Sequence, residues 1–228
     1  MIRSLLLACI VLFGAASVHA QSVVVTQGEA TLKRVPDRAW LTMATETRDP
    51  QAPEARRLSA EGMTALQAAV KGAGLTDDAI RTTGYSLVPD MEWKNGRGIV
   101  RGYLVRNQIE VRIDDLDKLS AVIDAVNASK STTVSVTGPR FGLKDATSVQ
   151  AEALRMAVAS AVERARAMAS GAGRMVGQVI RIEESNLAQP MPPQPVMMRM
   201  SAEASTPTPI EPGEIEVHAV VTVTSELR

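Results

Sequence analysis

The chain has 228 residues, 45% of them hydrophobic and 22% charged, a composition that folds and that excludes disorder over most of its length. Lys and Arg number 25, as do Asp and Glu, so the basic excess that displaces counterions from a phosphate backbone is missing and nucleic acid is not expected as a partner. Beyond residue 20 the aromatics are only Trp40, Tyr85, Trp93, Tyr103 and Phe141, which leaves Val, Ile, Leu, Met and Ala to build the core.

Residues 1–20 carry Arg3, an apolar run from Leu5 to Phe13, and Val18-His19-Ala20 with small residues at the third and first positions before Gln21. These are the parts of a Sec-type signal peptide, with cleavage expected after Ala20 and an exported domain over 21–228. The run is well short of the roughly 20 apolar residues that cross a bilayer, so no stable membrane insertion is expected. Leu6-Leu7-Ala8-Cys9 resembles a lipobox, but acylation at Cys9 would leave too short an apolar core for a signal. Cys9 is the only cysteine, and His19 departs with the leader to leave His218 alone. Disulfides, a thiol nucleophile, and zinc, haem or iron-sulfur cofactors are therefore not expected.

In the exported chain, Val23 to Thr31 and Ala39 to Thr47 read as strands, with Val35-Pro36-Asp37 as the turn that pairs them as neighbours. From Glu54 to Gly72 the period becomes helical: Ala55, Leu58, Gly62, Ala65, Leu66 and Ala69 share one face, and Gly72-Ala73-Gly74 ends the helix. Ile80 to Trp93 and Ile99 to Ile113 flank Lys94-Asn95-Gly96-Arg97, and Asn-Gly is the preferred pair for a tight hairpin because both residues tolerate positive φ. On the second arm Tyr103, Val105, Asn107, Ile109, Val111 and Ile113 face one way and Leu104, Arg106, Gln108, Glu110 and Arg112 the other. Asp114 and Asp115 open a short helix with Leu119, Val122, Ile123 and Val126 at helical spacing, and Thr132 to Thr137 is the next strand.

Ala146 to Ala172 is the longest helix, with Leu154, Ala157, Val158, Ala161, Ala165, Met168 and Ala172 on one face, and an alanine-rich stripe that permits close approach to strands. Gln178 to Glu184 and Glu214 to Thr224 read as strands. Between them, residues 187–213 hold seven of the 12 prolines and four of the 11 methionines, too dense in proline for a packed element.

The order of these segments resembles the SIMPL-domain family of bacterial periplasmic proteins. The resemblance rests on Val25-Thr26-Gln27-Gly28-Glu29-Ala30 followed by Val35-Pro36-Asp37-Arg38-Ala39, on Gly74-Leu75 with Asp78-Ala79-Ile80-Arg81-Thr82, and on Gly102-Tyr103 with Asn107. It continues through Phe141-Gly142-Leu143-Lys144-Asp145, Ala153-Leu154-Arg155-Met156-Ala157-Val158, and Ala165-Arg166-Ala167-Met168-Ala169 leading to Gly173 and Gly177. Two positions depart from the family pattern: Thr26-Gln27-Gly28 stands where Gly-x-Gly is usual, and Ser129-Lys130 where Gly-Ala is usual before a strand. The resemblance implies an α+β fold, a mostly antiparallel sheet with the long helix of the C-terminal half and the shorter helices packed on it. It also implies a periplasmic location, a tendency to form homo-oligomers and a loose tie to envelope and oxidative stress. It carries over no catalytic residue, because its motifs are turn and packing positions.

Among residues with chemical potential, His218 lies on the polar side of a strand and reads as structural rather than as a general base. Asp114, Asp115 and Asp117 lack the alternating ligands, central Gly and closing Glu of a calcium loop and read as helix caps. Trp93 at the hairpin tip reads as a cross-strand packing residue. Met191, Met197, Met198 and Met200 form a thioether cluster that could hold soft Cu(I) or absorb oxidant. No Ser, His and Asp arrangement suggests a hydrolase. The expectation is a non-enzymatic exported protein that works by self-association and contact with an envelope protein partner, with copper binding or methionine-based scavenging as the alternative.

Overall fold

A computed structural model describes residues 22–129, 134–185 and 210–228. The expected leader, Lys130, the start of the strand read from Thr132 and nearly all of the Pro/Met-rich segment fall outside the described residues. In chain order the elements are β1 (Val23–Arg34), β2 (Arg38–Asp49), α1 (Ala52–Gly72), β3 (Ile80–Lys94), β4 (Arg97–Ile113), α2 (Leu119–Ala128), β5 (Val134–Gly142), α3 (Ala146–Gly171), β6 (Val176–Glu184) and β7 (Ile215–Leu227). They form two antiparallel sheets, one of order β3-β4-β2-β5 and one of order β1-β7-β6. The fold is α+β, with helices packed on one face of each sheet.

The expected hairpin of β3 and β4 is present, with Asn95 and Gly96 both at positive φ, 52° and 75°. The expected pairing of β1 with β2 is not. β1 runs beside β7 from Val23 opposite Glu226 to Arg34 opposite Ile215, while β2 lies between β4 and β5 in the other sheet. Residues 35–37 contain no positive-φ residue with which to reverse the chain tightly. They are tied instead to the end of β5, through Asp37 N–H donating to Gly142 O, and to the approach to α3, through Lys144 N–H donating to Asp37 Oδ1. The segment read as a turn is the crossover between sheets.

One core lies under α1 and α2, where Leu41, Met43, Ile109, Val111 and Ile113 of the sheet meet Leu66, Val70, Val122 and Val126. The α1 face is rotated slightly from the expected one: Ser59, Met63 and Val70 are buried with Ala55, Gly62 and Leu66, and Ala65 is exposed. Met63 and Val70 bury more apolar area than Ala65 and Ala69 would, so packing favours that rotation.

The second core lies under α3, which buries Ala153, Ala157, Ala161, Ala165 and Ala169, one alanine per turn, against Leu32, Val217, Ala219, Val221 and Val223. Here too the expected face is corrected. Leu154 and Val158 are half-buried on its flank, while Met168 and Ala172 are exposed. The reason is the closeness of the sheet: a Cβ on Gly28 would lie 2.0 Å from Ala157 O and 2.5 Å from Ala161 N. Only a methyl-sized side chain fits between such backbones. The departure at Thr26 is accommodated in the same contact, its hydroxyl donating to Ala161 O at 2.8 Å.

Candidate functional site

Alternation along β2 and β4 sends Ala39, Leu41, Met43, Ile109 and Val111 under the helices and Arg38, Trp40, Glu110 and Arg112 onto the opposite face. That face is a ladder of neutralised charge. Arg38 and Arg112 both bind Asp114, Arg112 reaches Asp78 at 2.7 Å, and Arg81 and Arg140 reach Glu110 at 2.9 and 3.6 Å. The Arg140 guanidinium stands 4.1 Å from the centroid of the Trp40 ring. Partial desolvation pushes the Asp114 carboxyl up, but hydrogen bonds and charge from Arg38 and Arg112 outweigh it and hold the group below its ordinary value.

Of the three aspartates read as caps, Asp115 is one, accepting from Asp117 N–H in the short 3-10 turn before α2. Asp114 is an ion-pair partner instead. Among the described residues no group of three His, Cys, Asp or Glu side chains could hold a metal ion.

His218 projects from the open face of the three-stranded sheet. Its Nδ1 is 2.8 Å from Thr31 Oγ1 on β1 and its Nε2 is 3.4 Å from Glu216 Oε2 two residues back on β7, a row of hydroxyl, imidazole and carboxylate whose hydroxyl the sequence did not reveal because β1 and β7 lie at opposite ends of the chain. Glu216 is also paired with Lys33 at 3.0 Å, and the hydrogen bond and charge from Lys33 lower its pKa. The row sits near the Arg34 end of the β1–β7 ladder, exposed, with Lys33 competing for the carboxylate.

Two further features stand out. The first is the distal part of the β3–β4 hairpin, where Pro89, Met91 and Trp93 lie opposite Tyr103, Val100 and Gly98 on the face that α1 covers lower down. Trp93 rests over Gly98 yet keeps 74% of its surface exposed, so cross-strand packing accounts for little of it. Met91, Ile99 and Val100 are exposed beside it, and in the other sheet Val179, Ile180 and Ile182 of β6 are exposed too.

The second is an open cleft of about 510 Å³ where the first half of α1 crosses the hairpin, lined by Pro53, Arg56, Arg57, Ser59, Ala60, Tyr85 and Asn107. The sequence held one sign of it, Asn107 as a polar residue on the apolar side of β4. Ser59 and Arg56 gave none, because their positions depend on how α1 is rotated. The methionines proposed as soft-metal ligands lie outside the described residues. No helix among the described residues is long and apolar enough to cross a membrane.

A family model described as SIMPL, "Protein of unknown function (DUF541)", matches residues 24–225. The chain is similar to the 26 kDa periplasmic immunogenic protein of Brucella melitensis, 28% identical over 214 residues that cover 88% of this chain and 83% of the relative. It is also similar to the uncharacterized protein YggE of Escherichia coli K12, 25% identical with 80% and 72% of the two chains covered. With the YggE of Edwardsiella ictaluri the identity is 29%, over 78% and 77%.

Proposed function

Because the chain belongs to the SIMPL family, whose relatives include a periplasmic immunogenic protein and proteins of uncharacterized activity, we propose that it is an exported periplasmic protein that works without catalysis, by associating with copies of itself and with envelope partners. A role in envelope or oxidative stress tolerance is part of this reading. The observation that carries it is the position of the exposed apolar side chains. β3 and β6 are each the outermost strand of a sheet, and each carries hydrophobic residues at its surface: Val88, Met91 and Trp93 on one, Val179, Ile180 and Ile182 on the other. An outer strand also presents a row of free N–H and C=O groups that a second strand can pair with. The occupant that fits is a second copy, since each chain brings both edges, and a repeated head-to-tail contact of this kind closes a ring when its rotation permits.

The Thr31, His218 and Glu216 row lies on an open sheet surface with Lys33 on its carboxylate, which favours a structural part for His218. Ester, peptide and phosphate substrates are expected to be left intact. Sedimentation of the chain purified from periplasm at micromolar concentration tests the proposal. The expected mass is that of several chains, and Trp93→Ser or Ile182→Lys should lower it with an unchanged denaturant midpoint. A mass of one chain overturns the reading.

A further inference from the structure

The two outer strands that the assembly reading brings together carry their charges in a fixed order, and that order selects how they meet. On β3, Glu92 and Lys94 stand two residues apart on the face away from α1 and pair with each other at 3.5 Å, with Arg101 a further partner of Glu92 at 3.3 Å. On β6, Arg181 and Glu183 stand two residues apart, opposite Thr224 and Thr222 on the face away from α3, and pair at 2.6 Å. The residue between each pair is apolar, exposed and on the helix side of its sheet: Trp93 on β3, and Ile182, opposite buried Val223, on β6. Both triplets lie past the register shifts of their strands, which fall between Asp90 and Met91 and between Val179 and Arg181. They also lie beyond Pro89, which has no N–H to offer a neighbouring strand. In chain order β3 reads acid, aromatic, base and β6 reads base, aliphatic, acid.

Two arrangements set Trp93 beside Ile182. With the strands antiparallel, Glu92 stands opposite Glu183 and Lys94 opposite Arg181, and like charges directly across a strand pair repel. With the strands parallel, Glu92 stands opposite Arg181 and Lys94 opposite Glu183, so each of the four charges has its opposite both along its own strand and across the join. Sliding the parallel pair by two residues, the step that keeps the apolar side chains on one face, sets Glu92 against Glu183 in one direction and Lys94 against Arg181 in the other. Sliding the antiparallel pair by two residues separates Trp93 from Ile182 and keeps a single opposite-charge pair.

We propose that copies of this chain join with β3 of one parallel to β6 of the next and Trp93 beside Ile182. The two sheets become one, with α1 and α3 on the same face and the Glu92, Lys94, Arg181 and Glu183 quartet on the other. This rests on the assembly reading and adds to it the direction and the register of the contact, which complementary charge fixes more than it strengthens. A second copy is the occupant because the two complementary orders belong to one chain.

The sole cysteine lies in the expected leader, so introduced pairs report alone, and neighbouring strands about 5 Å apart are within the span of a disulfide. In chain purified from periplasm, Lys94→Cys with Glu183→Cys is expected to give disulfide-linked copies on a non-reducing gel, at least tenfold more than Lys94→Cys with Arg181→Cys, the pair that antiparallel strands would oppose. Lys94→Glu and Glu183→Lys should each raise the concentration of half-dissociation in sedimentation at least tenfold with an unchanged denaturant midpoint. Mixed in equal amounts they should return to within threefold of the parent, since alternating copies restore opposite charges at every contact. A parent that sediments as one chain overturns the assembly reading and this inference with it. An assembled parent overturns the inference alone if the Lys94 and Arg181 pair links better, if neither pair links, or if the mixture stays dissociated.

Discussion

The two sheets are covered by helices in opposite ways. Over the four-stranded sheet, Leu66 and Val70 of α1 and Val122 and Val126 of α2 stand between helix and strands and meet Leu41, Met43, Ile109 and Ile113, so side-chain volume sets the spacing. Over the three-stranded sheet, the fully buried residues of α3 are all alanines, with Leu154 and Val158 only half-buried on the flank, and at Gly28 the strand and helix backbones come within the reach of a single methyl group. One layer is held by large apolar groups removed from water. The other gains less area per residue and relies on close backbone contact and on the Thr26 hydroxyl donated to Ala161 O. The first arrangement is vulnerable to deletion of atoms and the second to their addition.

Deletion under α1 should have the largest effect. Leu66→Ala removes a fully buried side chain from the core under α1 and is expected to lower folding stability by about 2–5 kcal/mol, read from denaturant midpoints. Addition under α3 comes next: Ala161→Leu should cost about 1–3 kcal/mol by overpacking against Gly28. Deletion at the same place, Ala161→Gly, should cost only about 1 kcal/mol, nearly all of it helix propensity. The contrast breaks if Ala161→Leu is neutral, since α3 would then stand off the sheet.

Acid sharpens the comparison from the open faces. Asp114 has its pKa depressed in the folded state by Arg38 and Arg112, so its contribution is present above the ordinary carboxylate value of about 4 and is lost as pH falls through the lower folded value. The difference in denaturant midpoint between the parent and Asp114→Asn should therefore be full at pH 7 and close in strong acid. A gap that widened below pH 4 would contradict the ion-pair assignment.

Local chemistry made much of this fold legible. The Asn95-Gly96 turn, the alternation of β4 and β7 and the start and length of α3 follow from neighbours in sequence. Partnership between distant strands does not: nothing near β1 says that Val23 will lie opposite Glu226, and the short connection to β2 invited a hairpin that the backbone angles refuse. The rotation of α3 was encoded, but in the quieter signal, alanines at 153, 157, 161, 165 and 169 rather than the bulkier Leu154 and Met168. The cleft was the least legible feature, because its lining comes from α1, β3 and β4 and is brought together only by the way α1 crosses the sheet.

The smallest expected effect is on the outer face of α3. Arg166 pairs with Glu163 one turn away, both well exposed, and an exposed pair within one helix contributes little because water and salt screen it while two long side chains lose freedom. Arg166→Ala should leave the denaturant midpoint nearly where it was, while Ala165→Leu, one residue inward and fully buried, should lower it. Sedimentation of the same two variants adds the second axis. The outer face of α3 also exposes Met156 and Met168, and if copies meet there Arg166→Ala will change the mass without changing the midpoint. If they meet through β3 and β6, as proposed, it will change neither. A lowered midpoint for Arg166→Ala beside an unaffected Ala165→Leu would place the alanine stripe in water and reverse the helix, and the account of Gly28 would fail with it.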